Sequence, residues 1–415
     1  MIYATAPEEL AELADLCRAG KLFEVQKWVK EGRPVALAKE TKGKGTTRNP
    51  LRIAMDRGFY SLVQVLLEAG APWRAGNYDA LDDAVSMRRP DLASLLIQHG
   101  AQVAEVSMSF VLEMWHPEMV ELFISNGASL CRGNPVACAL IYKMRPTLGL
   151  LKRFSDNPAI VRQGGMALRY HANGGNTKWV SLLLWAGADP WARGPYRPED
   201  LDDDVGEDEE YLSAIELAVM GGKLDVLRLK KLLTVPVADN SATAKLIEYA
   251  CHAPDSAVLS WLFERGHRPE AIADCGTAAI SLLLNWMSWD FPSVHDTPWS
   301  QPQFSGGIDS FRALERMKML HMLVAHGAKW LPADKHMIAD ARRNLLKMAP
   351  AYALEFAWLM QTYRAARRKD MEELFRTPAM ARLLARDRDR LSQIVAGIPE
   401  EPLGGEKTSL EKGAR

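Results

Sequence analysis

Asn49-Pro-Leu-Arg-Ile-Ala-Met-Asp-Arg-Gly-Phe-Tyr-Ser-Leu-Val-Gln-Val-Leu-Leu-Glu-Ala-Gly-Ala71 carries two runs of helical periodicity separated by a glycine. The spacing predicts an amphipathic helix from Pro50 to Arg57 that stops at Gly58. A second helix follows, with Leu62, Val63, Leu66 and Leu67 on one face, and stops at Gly70. Two helices this short cannot bury both apolar faces alone, so the unit must stack on copies of itself.

Such copies are present. Residues 7–34 form a polar, degenerate opening unit, as a cap with one solvated face requires. A third unit runs from Ala80 through Leu95-Leu-Ile-Gln-His-Gly-Ala101, and a fourth from Val106 to Ala128. Gly-Ala pairs begin at 70, 100, 127 and 187, leaving an unmarked fifth unit at about Pro135 to Asn157 before a sixth from Met166 to Ala188. The seventh reads Ser213-Ala-Ile-Glu-Leu-Ala-Val-Met-Gly-Gly-Lys-Leu-Asp-Val-Leu227, and the eighth spans about Ala242 to Gly266. A ninth begins at Cys275, is split by a Pro- and aromatic-rich loop from Ser288 to Gly307, and ends at His326-Gly-Ala328. From Asp334 the Gly-Ala marker stops, although Met337–Leu359 and Tyr363–Val395 keep helical periodicity with Pro350 and Pro378 as breakers.

Pro-Leu opening helix one, a glycine turn, a Leu-Leu pair and Gly-Ala together resemble the ankyrin repeat. The likeness covers roughly residues 7 to 330. It is carried by rhythm more than letters: the Thr-Pro-Leu-His signature is Asn-Pro-Leu-Arg at 49–52 and Ser-Ala-Ile-Glu at 213–216. The resemblance implies an all-α, ankyrin-like helix-pair repeat solenoid over residues 1–333, with about nine degenerate repeats and insertions near 194–212 and 288–308. Residues 334–397 are expected to form a helical C-terminal cap and 398–415 a disordered tail. A period slightly below the ankyrin value of ~33 implies trimmed hairpin fingers.

Composition narrows the function classes. With 51 basic against 52 acidic side chains the net charge is near zero, unlike that of a dedicated nucleic-acid binder. Five scattered cysteines with no C-x-x-C pair suit reduced thiols. The first residues carry no basic segment followed by an apolar core, and no run reaches the ~20 apolar residues of a membrane span. The expectation is a soluble cytoplasmic protein, or one delivered into another cell.

No constellation points to catalysis. Gly-Lys-Gly-Thr-Thr in the Lys39–Arg48 loop lacks the phosphate-loop spacing. Asp200, Asp202 and Asp204 alternate as in a calcium loop, but Val205 and Tyr211 occupy its glycine and terminal-glutamate positions. His321 and His326 are five apart, off a common helical face. No nucleophile or metalloprotease motif is present, so neither catalytic residues, metal nor cofactor is expected. The arginines at 364, 367, 368, 376, 382, 386, 388 and 390 are interleaved with carboxylates, which gives helical ion pairs and no uniform basic face.

Two features suggest a binding surface. Glu199 to Glu210 holds nine carboxylates in twelve residues, among them Asp202, Asp203, Asp204, Glu207, Asp208, Glu209 and Glu210. Trp73 and Trp330 follow Gly-Ala by one offset and Trp191 by one residue more, where helix two gives way to a finger. Tryptophan at that place either packs on the neighbouring finger or anchors an interface. The resulting expectation is a non-catalytic scaffold that binds another protein with a basic surface. Its Ala-, Arg- and Leu-rich composition suggests a bacterial effector, toxin-neutralising partner or adaptor. The competing classes are a nucleic-acid binder acting through the C-terminal helices and an enzyme whose site carries no recognised motif.

Overall fold

The Asn49 side chain accepts hydrogen bonds from the N–H groups of Leu51 (2.9 Å) and Arg52 (3.3 Å), satisfying two donors that a helix start leaves free. Pro50 takes the first helical position, where its missing N–H costs nothing. The helix these residues launch, α3 (Pro50–Asp56), and its partner α4 (Tyr60–Glu68) coincide with the expected pair. Leu62, Val63, Leu66 and Leu67 are all buried. The computed structural model describes residues 3–37, 49–75, 78–196, 211–229, 240–269, 275–290, 307–348 and 350–402.

The chain divides into two compact units, and the division falls within the helices α11 (Pro158–Asn173) and α12 (Thr177–Trp185). The first unit holds α1 (Ala11–Arg18), α2 (Leu22–Lys30), α3, α4, α5 (Ala80–Ser86), α6 (Pro90–Gln98), α7 (Met108–Met114), α8 (Pro117–Ser125), α9 (Pro135–Ile141) and α10 (Leu148–Arg153). Each odd-numbered helix packs on the even one after it. The odd helices stack on one another in order from α1 to α9, and the even ones from α2 to α8. From α3 to α8 the first helix of each pair has seven residues and the second nine. Between α4 and α5 the chain makes a two-residue antiparallel hairpin in which Arg74 pairs with Asp79 and Ala75 with Tyr78.

The second unit repeats the scheme with less regular lengths. Its pairs are α13 (Ala214–Met220) with α14 (Leu224–Leu227), α15 (Asn240–Ala250) with α16 (Ala257–Glu264), and α17 (Cys275–Asp290) with α18 (Gly307–Ala325). Ser213 and Glu216 form a reciprocal capping box at the start of α13. Past residue 334 both rows continue: α19 (Lys335–Leu346) packs on α17, and α20 (Pro350–Thr362) on α18. Then α21 (Arg368–Phe375), α22 (Pro378–Leu383) and α23 (Arg388–Ala396) close over α19 and α20.

The Gly-Ala marker is a helix terminator. The glycine of every pair is left-handed, and at Ala71, Ala101, Ala128 and Ala328 the alanine N–H reaches back five residues to a carbonyl, as from Ala71 to Leu66 and from Ala328 to Leu323. After α20 the same turn recurs with Arg364 at φ 50° and Ala365 bonded to the Met360 carbonyl. The vanished marker therefore hid a further unit with the same geometry. A second close approach fixes the spacing of neighbours: the Phe59 ring lies over Gly20, and the Arg89 guanidinium lies over Gly58, where a β-carbon would be 2.8 Å from it.

Two boundaries differ from expectation. The sixth pair begins at Pro158 instead of Met166, and α17 continues to Asp290 past the expected loop start at Ser288. The basic loop Lys39–Arg48, the acidic run Glu199–Glu210, residues 291–306 and residues 403–415 lie outside the described residues.

Candidate functional site

The predicted aromatic residues occupy dissimilar environments. Trp330 is fully buried, its ring edge-on to Phe356 at 5.5 Å and its backbone N–H bonded to the Ala365 carbonyl at 2.7 Å. A side chain with no exposed surface cannot anchor a partner, so Trp330 is a core residue of the second unit. Trp73 is half-buried at the entry to the hairpin, where its carbonyl accepts the Ala80 N–H at 2.9 Å. Trp191 is also half-buried, in a turn closed by the Asp189 carboxylate on its N–H at 2.9 Å. Asp202, Asp203, Asp204, Glu207, Asp208, Glu209 and Glu210 lie outside the described residues.

The charged cluster that the structure does assemble lies beside Trp73. Asp79 caps α5 by accepting the Leu81 N–H at 2.9 Å, which places Asp82 and Asp83 in the first turn of that helix. Arg52 and Asp56 come from α3, which packs on α5. Tyr78, on the second hairpin strand, is buried with the Arg52 guanidinium carbon 5.5 Å from its ring centre. Arg74, on the first strand, pairs with Glu105 at 2.7 Å. The group thus sets five carboxylates against two guanidinium groups.

Its electrostatics show strain. Desolvation raises the Asp83 carboxyl above the usual range, opposed by Arg52 and reinforced by Asp56, Asp82 and Asp79. Asp82 moves the same way, through desolvation and then the charge of Asp79, against the pull of Arg74. Burial, followed by the charge of Asp83, pushes the Tyr78 phenol far upward. Both the Tyr78 hydroxyl and Asp83 Oδ2 are buried without a hydrogen-bond partner. The sequence carried one trace of this cluster, the Asp82-Asp83 pair in the first turn of a helix already capped by Asp79. The contribution of α3, one unit away, needed the stacking to be known.

Elsewhere the chemistry is quiet. Burial raises the thiols of Cys17 to about 12 and Cys275 to about 11, and raises Cys251 further, so each is held as an inert thiol. No group of three or more His, Cys, Asp or Glu side chains suited to a metal ion exists among the described residues. None of the described helices is long and apolar enough to cross a membrane. Several C-terminal arginines are committed internally: Arg367 to Asp370 and the Pro332 carbonyl, Arg368 to the Ile398 carbonyl, and Arg376 to Glu373. Neither a family model nor a curated protein matches the chain.

Proposed function

We propose that this chain is an ankyrin-like protein-binding scaffold that works without chemistry of its own, using the first helices and the hairpin between units as its docking face. The observation that carries this reading is the regular stack in the first unit, with seven-residue first helices, nine-residue second helices and a hairpin at the joint between pairs. Such an array presents one continuous row of short helices on which side chains can vary without disturbing the packing beneath. Arginines bonded to carbonyls and carboxylates in the C-terminal helices disfavour the nucleic-acid reading, because a phosphate would have to displace those partners.

The test is photo-crosslinking in the native cell. A crosslinking residue is placed at Trp73, Arg74 or Asp82 on the hairpin and first-helix side, and at Phe23 or Lys27 on a second helix. A protein trapped preferentially from the first three positions is the expected result. Equal trapping from both sets, or none from either, refutes the proposal.

A further inference from the structure

The turns joining the paired helices of the first unit lie at the opposite end of each pair from the hairpin. The Phe59 ring rests over Gly20 in the turn before it, and the Arg89 guanidinium donates to the Gly58 carbonyl at 3.4 Å. With the first helices stacked in order from α1 to α9, the later turns continue the same row along one edge of the unit.

From the second pair to the fifth, the residues between helices are 57–59, 87–89, 115–116 and 142–147. They include five Arg or Lys side chains and no carboxylate. Arg89 is taken by Asp91, whereas Arg57, Arg88, Lys143 and Arg145 are exposed and make no ion pair among the described residues. Asp56 stands one helical turn from Arg52, whose guanidinium lies over Tyr78, so it belongs to the first-helix face. Glu113 holds the same register in α7, which leaves Glu118 as the one unpaired carboxylate beside these turns among the described residues.

A cation suits the C-terminal end of a helix, which accounts for the sign of this row. It does not account for the backbone. The first and second pairs turn through left-handed Gly20 and Gly58, but the next three use Arg88 (φ 53°), Trp115 (φ 29°) and Lys143 (φ 66°). That region penalises any side chain, so three successive units place one where glycine folds with less strain.

We propose that this row of turns is a second docking edge, for an extended, carboxylate-rich segment of a partner protein. Stacked helices lie about 8–10 Å apart and an extended chain rises about 3.3 Å per residue, so a carboxylate at every third residue meets successive turns. Tyr142, 79% exposed beside Lys143, gives the segment an apolar contact at the end of the row. Of the aromatic residues on these turns it alone is more than half exposed, so the bases of a nucleic acid find no series of rings to stack on. The edge is separate from the first-helix face, and neither reading depends on the other.

The probe is a peptide of four Glu-Ala-Ser repeats, titrated into the full chain at low salt and followed by amide chemical shifts. Its glutamine counterpart and an oligothymidylate of twelve nucleotides are run alongside. The expected result is saturable shifts centred on residues 57–59, 87–89 and 142–147, weakened at least threefold by physiological salt and absent with the glutamine peptide. Arg88→Gly combined with Lys143→Gly should weaken the peptide at least threefold while the melting temperature stays at or above that of the parent, since glycine fits both turns. Arg88→Gln combined with Lys143→Gln makes the same test should the glycine pair fold poorly. Arg364→Gly, which removes a left-handed arginine outside the row, should bind the peptide like the parent. No saturable binding, equal binding of the glutamine peptide, shifts centred elsewhere, or double variants that bind like the parent would each overturn the proposal. So would tighter binding of the oligothymidylate, or an equal loss in Arg364→Gly.

Discussion

Replacing glycine by alanine inside a helix should have opposite signs at two positions of this chain. Gly276 is the second residue of α17, and a β-carbon there would sit 2.6 Å from the Lys329 nitrogen, 2.9 Å from its oxygen and 3.0 Å from the Ala328 α-carbon. Comfortable carbon contacts lie at about 3.5–4.0 Å, so the two backbones must part by about 1 Å. They are not free to do so. The Thr277 hydroxyl donates to the Lys329 carbonyl at 3.1 Å and accepts from the Leu331 N–H at 2.9 Å, tying α17 to the segment it would have to leave. Overpacking of this kind costs about 1–3 kcal/mol, and each strained hydrogen bond contributes about another 1 kcal/mol. Alanine's helix preference returns up to about 1 kcal/mol, less so near a helix end. The net expectation for Gly276→Ala is a loss of about 2–4 kcal/mol. Gly149, the second residue of α10, has nothing within 4 Å of a β-carbon, so Gly149→Ala should gain up to about 0.5 kcal/mol. Urea unfolding followed by far-ultraviolet circular dichroism compares both variants with the parent. A Gly276→Ala transition at or above the parent midpoint would refute the close approach of α17 to residues 328–331.

Three further outcomes follow from the same geometry. Leu66 is fully buried, so Leu66→Ala should lower stability by about 2–5 kcal/mol in urea melts, and hydrogen exchange should quicken in α2 and α6, which pack against α4. Arg364 holds φ 50°, a region costing a side chain roughly 1–2 kcal/mol, so Arg364→Gly should raise the melting temperature despite glycine's greater entropy loss. Asp83 has its pKa raised in the folded state, so the stability it contributes is present below its unfolded value of about 3.8 and is lost as pH rises through the folded value. Asp83→Asn should therefore stabilise the chain near neutral pH and match the parent in acid, as thermal melts across that range would show.

Helix positions were legible because they depend on local chemistry. Asn49-Pro50, the Leu66-Leu67 pair and the recurrent Gly-Ala each fix a cap, a buried face or a terminator within a few residues. Where the local signal failed, a different residue filled the same geometric role. Arg364 adopts the left-handed turn that glycine marks elsewhere, so the pair of rows runs on past 334 without its signature. Trp73 and Trp330 stand at the same offset after Gly-Ala, yet one is half-buried and the other fully enclosed. The difference arises from α20 and from the isolated bridge that Trp330 makes with Ala366, which no spacing within its own unit could reveal. The charged cluster was missed for the same reason. Arg52 and Asp56 are 26 or more positions from Asp82 in the chain, and only the packing of α3 on α5 joins them.

That packing also explains why unmatched polar atoms can persist at this face. In the interior, the glycine–side-chain contacts and the rows of buried leucines leave little freedom, and a lost partner is expensive. Tyr78 is buried on the second hairpin strand and Asp83 Oδ2 is buried on α5, so the apolar burial around them offsets the cost of leaving both atoms unmatched. Removing the Asp83 charge should therefore strengthen the free protein near neutral pH, because its carboxyl is held above the usual range by desolvation and by the neighbouring carboxylates.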